Sequence, residues 1–271
     1  MTILTSKILL LFLLIFSTTR FPIIISTNDQ SLVKCHDKDK EILLIFKTGI
    51  LDSSDCPTST WSTNTDCCTW EGVTCDNATG RVTELDLNDS RLKGQITLYV
   101  LELEYIIHVD LDLNDFDAIS IPINIHNITH SSKLVYLDLT IMQKFGAAKR
   151  KSINLDNLDW VSTFSCLKYL NLSGIDLSKA TNWLQAMAKL PSLLELQLNY
   201  CNLCNFMTNP PIEHFNLPSL KTLVASQKNF TSSIPDEFFN CIKALSVACC
   251  IKALELCTNW YLTVQIVVRQ I

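Results

Sequence analysis

Apolar residues in this chain fall into a spaced figure, apolar-x-x-apolar-x-apolar, that returns six times. Its copies begin at Val82, Ile106, Leu134, Leu167, Leu193 and Leu220, at intervals of 24, 28, 33, 26 and 27 residues. The last two anchors of each copy alternate, as in Leu85 and Leu87, Leu137 and Leu139, Leu170 and Leu172, or Leu196 and Leu198. Alternation of this kind is the two-residue period of a strand with one buried face. A single short strand cannot bury that face, but stacked copies bury one another's. The pattern therefore predicts a solenoid lined by parallel strands.

Two regions break the figure. The longest interval holds "MQKFGAAKRKSINLDNLDW", with a basic cluster at Lys149, Arg150 and Lys151, and predicts a solvated loop insertion near residues 142–160. After Cys241 no copy is recognisable, so the six repeats are placed in 81–241 and residues 242–271 form an atypical tail. Lys243, Lys252, Glu255 and Arg269 interrupt that tail, leaving no apolar run near the ~20 residues of a membrane helix. The array is expected to stop at about residue 241 with its last core edge uncapped.

At the other end, Lys7 precedes an unbroken apolar run from Ile8 to Phe16 and then small and hydroxyl residues, the layout of a secretory signal peptide, placed at 1–27. Arg20 and Pro22 interrupt the following apolar stretch and argue against a membrane anchor. Export makes disulfides the natural use of twelve cysteines. It also agrees with five glycan acceptor sequons, at Asn77, Asn88, Asn127, Asn171 and Asn229.

The charge balance, 22 basic against 27 acidic residues for a net charge of −5, gives no electrostatic reason to expect nucleic acid or an anionic membrane as partner. Six glycines build no phosphate-cradling loop, and no spaced kinase elements are present, so no catalytic residue, cofactor or metal is expected. His126 and His130 have a metal-like spacing but enclose the sequon at Asn127, and the "CNLC" of Cys201–Cys204 overlaps a repeat position. Neither is read as a metal or redox site.

The repeats, with "GQI" from Gly94 and "SSIPDEFFN" from Ser232 following their strands, resemble those of plant extracellular leucine-rich-repeat proteins. "CHDKDKEILLIFKTGI" from Cys35 and "STWSTNTDCCTWEGVTCD" from Ser59 resemble the N-terminal cap of such arrays, placed at 30–80. The resemblance implies an α/β fold: a curved solenoid with a parallel sheet on its concave face and a disulfide-stapled helical cap. It pairs Cys35 with Cys67 and Cys68 with Cys75, and makes Leu43, Leu44 and Phe46 the apolar side of the cap helix. Adjacent cysteines seldom suit a bond to each other, which agrees with Cys67 and Cys68 reaching opposite ways.

What the resemblance implies functionally is a non-enzymatic receptor-like protein, secreted or at the cell surface. It would bind an extracellular peptide, glycan or protein in defence or development and signal through a co-receptor kinase, with no membrane span in this chain. A secreted inhibitor of a cell-wall-degrading enzyme, like the polygalacturonase inhibitors, and a truncated receptor remnant are the alternatives.

Ligand contact is expected from residues between the buried anchors. Glu84, Asp86, Asp89, Asp110 and Asp112 make one end of that face acidic, and Tyr136, Lys168, Tyr169, Asn171, Glu195, Gln197 and Tyr200 continue it. Tyr136 and Tyr169 hold the same place in successive copies and are expected to stack. A glycan at Asn171 would obstruct them. Stability is the weak point. The family's ninth repeat position is Asn, which bonds backbone in the bend, whereas here only Asn114 keeps it against Ser90, Met142, Ile175, Cys201 and Lys228.

Overall fold

A computed structural model describes residues 33–51, 55–123, 125, 133–141, 153–203, 219–227, 249–253 and 262–268. The segment 1–27, the basic cluster, His126, His130, Cys204 and the sequons at Asn127 and Asn229 lie outside these residues.

Each copy of the apolar figure supplies one strand. A short strand β1 (Val73–Cys75) pairs antiparallel with β2 (Val82–Asp86). From β2 the sheet grows in parallel through β4 (His108–Asp110), β6 (Tyr136–Asp138), β7 (Tyr169–Asn171), β8 (Glu195–Gln197) and β9 (Thr222–Gln227). The register is the one the sequence repeat demands, with Leu85, Val109, Leu137, Leu170, Leu196 and Leu223 side by side. All six are buried, as are the first anchors and the residue two past each central one, from Leu87 to Ala225. Full burial of a Leu or Val side chain contributes about 1.5–3 kcal/mol, so a copy with three such anchors is held chiefly by its neighbours. A second, two-stranded parallel sheet joins β3 (Lys93–Thr97) to β5 (Asp115–Ser120) just after the bends of the first two repeats.

The return segments close the core from the other side. The 3-10 turns Tyr99–Glu102 and Asp159–Thr163 and the short helix α2 (Trp183–Ala188) bury Val100, Leu101, Trp160, Val161, Trp183, Leu184 and Met187. The described end of the predicted insertion, from residue 153, lies on this side. Ile153, Leu155, Leu158 and Trp160 are all buried, and Asn154 bridges in parallel to Asp176. Residues 153–160 are thus core-forming chain and not solvated loop, because their apolar side chains recur at spacings that keep them inward.

At the far end, β10 (Cys249–Ala253) pairs antiparallel with β11 (Leu262–Val268), which in turn pairs antiparallel with β9 over Thr222–Gln227. Of the two described tail strands, β11 runs against the direction of the array and β10 runs with it. Along its backbone, β11 satisfies the groups that β9 would otherwise leave unpaired.

The cap is built on helix α1 (Asp37–Thr48). Asp39, Ile42, Leu43 and Phe46 form its buried face, at the three-to-four-residue spacing of one helix stripe, and Leu44, expected with them, is only half buried. Cys35–Cys67 and Cys68–Cys75 are both bonded, each with Cα atoms 5.5 Å apart. Between them, Asp66 accepts from the backbone N–H of Cys35 and of Cys68, both at 3.0 Å. Trp61 stacks on Trp70 with centroids 5.1 Å apart and also touches Phe46.

A buried ion pair joins cap to array. The guanidinium of Arg81 donates from Nε and Nη2 to the two oxygens of Asp39 at 2.9 and 3.0 Å, and the backbone N–H of Val82 donates to the same carboxylate at 2.9 Å. Arg81 also lies 4.5 Å from the centre of the Tyr105 ring and within 3.3 Å of Glu104.

The bends after the strands show how the array manages with one ladder asparagine. Asn114 accepts from Leu92 N–H at 2.9 Å and donates to Leu87 and Leu111 carbonyls at 2.7 and 3.0 Å. At the equivalent position Cys201 donates its thiol to the Leu172 carbonyl at 3.2 Å. Ile175 fills its place with an apolar side chain, while the bend's own backbone pairs through Gly174 N–H to Asn199 and Leu177 N–H to Cys201. Before four of the six ladder positions the residue takes a left-handed conformation, at Asp89, Leu113, Gly174 and Tyr200, and of these only Gly174 has no side chain to oppose it.

Candidate functional site: an aromatic and acidic ladder on the sheet

Parallel strands in fixed register put equivalent side chains in columns about 4.8 Å apart, close to the thickness of stacked aromatic rings. The third repeat position therefore forms a column in which His108, Tyr136 and Tyr169 stack. Ring centroids are 4.2 Å apart between His108 and Tyr136 and 4.3 Å between Tyr136 and Tyr169, with planes only 13° and 2° apart. All three rings are half-buried, so their edges remain available. Glu84 precedes the column in the register and Glu195 follows it.

The fifth position forms a second column: Asp86, Asp110, Asp138, Asn171 and Gln197. Its first four members turn the chain out of the strand. In each, Oδ1 accepts from the backbone N–H two residues on, that of Asn88, Asp112, Thr140 or Ser173, at 2.9 to 3.2 Å. The remaining oxygens tie the two columns together. The hydroxyl of Tyr136 donates towards Asp110 Oδ2 at 3.5 Å, and that of Tyr169 donates to Asp138 Oδ2 at 3.2 Å. Asn171 Nδ2 donates to the same Asp138 oxygen at 3.0 Å.

These contacts and the crowding of like charge shape the electrostatics. Burial, then the neighbouring carboxylates of Asp138 and Asp86, holds Asp110 above the ordinary carboxylate range despite its bond from Asp112 N–H. Asp112 is pushed up to about 6, first by burial and then by Asp138, with smaller contributions from Asp110 and Asp89. Burial and the Asp138 carboxylate push Tyr169 up to about 12, and burial followed by Tyr169 and Asp110 raises Tyr136 as well. Both phenols are therefore hydrogen-bond donors at any physiological pH.

The residues expected to contact ligand divide into three groups. Asp110, Tyr136 and Tyr169 belong to the linked columns, with Asp112 in the bend just beyond them. Glu84 and Asp86 are exposed at the cap-proximal end. Lys168 is exposed one position before Tyr169, and Glu195 accepts from Gln197 Nε2 at 2.8 Å, so these two form a separate polar pair one rung on. Two members of the site escaped sequence reading, His108 and Asp138. Their offset within the repeat, two and four residues past the first anchor, was the signal that places them.

Cys35, Cys67, Cys68 and Asp66 also gather closely enough to suggest a metal. The sulfurs are spent in disulfides and Asp66 in two backbone bonds, so the cluster lacks the thiolates a zinc site uses. Cys201, deeply buried, has its thiol pushed up by desolvation, which keeps it protonated and unreactive.

The fold and the cap define the class: a leucine-rich-repeat solenoid with a disulfide-stapled N-terminal cap. Residues 36–76 match the leucine rich repeat N-terminal domain. The chain is 33% identical over 231 residues to receptor-like protein EIX1 of Solanum lycopersicum, covering 73% of this chain and 22% of that protein. It is 31% identical to receptor-like protein EIX2 of the same species, covering 77% and 23%. Among solved structures, the PEPR1–AtPEP1 crystal structure is 27% identical over 61% of this chain and 21% of that one, with a TM-score of 0.46. The chain is thus similar to these plant receptor-like proteins, and it spans less than a quarter of their length. Among the described residues, no helix is long and apolar enough to cross a membrane.

Proposed function

We propose that this chain is a non-enzymatic extracellular recognition module, secreted or held at the cell surface, that binds a peptide, glycan or protein in defence or developmental signalling. The observation that carries the reading is the stacked column His108, Tyr136 and Tyr169, which puts three ring edges and the nearby carboxylates on one sheet face. Such a face offers large contact area at little side-chain entropy, since each ring is already fixed by its neighbours. Its excess of Asp over Lys and Arg favours ligands presenting amino or guanidinium groups. Kinship with receptor-like proteins supports signalling through a partner kinase.

The test is to pan extracellular peptide and oligosaccharide libraries against the secreted chain and against its Tyr136→Ala/Tyr169→Ala variant. Ligands that bind the first at least about tenfold better than the second support the reading, one stacked pair being worth about 0.5–1.5 kcal/mol beyond its buried area. Ligands that bind both equally would move the site off this face.

A further inference from the structure

The sequon Asn171-Leu172-Ser173 is unlike those at Asn77 and Asn88 in where its reacting atoms stand. Glycosylation requires Asn Nδ2 to attack the anomeric carbon of a lipid-linked oligosaccharide. A C–N bond forms there, the C–O bond to the lipid diphosphate breaks, and Nδ2 gives up one of its two protons. In the fold both protons are committed: Nδ2 lies 3.0 Å from Asp138 Oδ2 and 3.3 Å from the Tyr169 hydroxyl. Asn171 is 7% exposed, and so is Ser173, whose hydroxyl accepts from the backbone N–H of Asn199 at 3.1 Å. The amide oxygen is also occupied, by Ser173 N–H at 3.0 Å. A sugar on Nδ2 would remove one donor, wedge apart β6 and β7 side chains and separate the Tyr169 ring from its carboxylate. The sequons at Asn77 and Asn88 show the opposite case, since both asparagines are exposed.

We propose that glycosylation of Asn171 and closure of the fourth repeat are mutually exclusive. The folded protein carries glycan at Asn77 and Asn88 and leaves Asn171 bare, which keeps the face beside Tyr136 and Tyr169 clear. A molecule that receives a glycan at Asn171 before folding does not complete the ladder.

The full chain is secreted from plant cells, its protease-resistant fraction is deglycosylated enzymatically in heavy-oxygen water, and each sequon is read by the mass tag left on the resulting Asp. Occupancy at Asn171 is expected to be at least about tenfold below that at Asn88, because a glycan there forfeits buried hydrogen bonds that water cannot replace. The same reading on the cell-retained fraction of Leu196→Asp, which breaks the core outside the sequon, separates fold from local sequence. Occupancy of Asn171 should rise several-fold there. High occupancy in the folded secreted chain overturns the proposal, and so does an Asn171 that stays bare in the unfolded variant.

Discussion

Replacing Asp39 with Ala tests how the cap is fastened to the array. The carboxylate is 1% exposed and accepts three hydrogen bonds, two from Arg81 and one from Val82 N–H, all within 3.0 Å. Deleting it strands a guanidinium that is itself only 12% exposed, together with a buried backbone donor. Removing one partner of a buried pair costs about 3–5 kcal/mol. Two contacts soften the loss, since Glu104 remains at 3.3 Å from Arg81 and the Tyr105 ring at 4.5 Å. An expected cost of about 3 kcal/mol follows, with about half of that for Asp39→Asn, which keeps one oxygen and the shape but loses the charge. The assay is urea unfolding followed by tryptophan fluorescence, because Trp61 and Trp70 stack inside the cap and report on it directly. A cost for Asp39→Ala of less than about 1 kcal/mol would refute the reasoning, for it would place Asp39 among the many ion pairs that contribute little.

Other perturbations separate the remaining parts. Asn114→Ala removes an amide that serves one buried donor and two buried carbonyls; a loss of about 2–4 kcal/mol by denaturant unfolding is expected, and Cys201→Ala, which gives up one thiol bond, should cost less than half as much. The Cys35–Cys67 bridge closes a longer loop, 32 residues apart against 7 for Cys68–Cys75, so its double Ser variant should lose about 1 kcal/mol more. Equal losses would show that chain entropy is not what the bridges act on. Asp112 is raised from 3.8 to about 6 in the folded chain, so the native state binds its proton more tightly than the unfolded state does. Its effect on stability is unfavourable above pH 6 and fades as pH falls through that window to about 4. Asp112→Asn should therefore stabilise by about 1 kcal/mol at pH 7, after allowance for solvent screening, and by nothing near pH 3.5.

The strands were legible in the sequence because Leu, Val and Ile at fixed offsets have only one way to be buried together, and the column of Tyr136 and Tyr169 followed from the same offsets. His108 was not, since imidazole is common on exposed strand faces and only the stack beside Tyr136 distinguishes it. Asp138 looked like another surface carboxylate until its oxygens were found serving Thr140, Tyr169 and Asn171. The Asp39–Arg81 pair lies across 42 residues, and no local pattern connects a helix carboxylate to an arginine just ahead of a strand. The misjudged stretch 153–160 shows the converse error. Its length broke the period, and length alone suggested a loop, although Ile153, Leu155, Leu158 and Trp160 carried the apolar spacing of core.

The thiol in the ladder gives the array a chemical clock. Cys201 is sealed in the bend after β8 and kept protonated, while Cys166 sits exposed on the segment leading into β7. An alkylating reagent will reach Cys166 at the rate of the open thiol and Cys201 only when its repeat comes apart. The ratio of the two rates reads the free energy of that opening in the native protein, at one repeat, without denaturant.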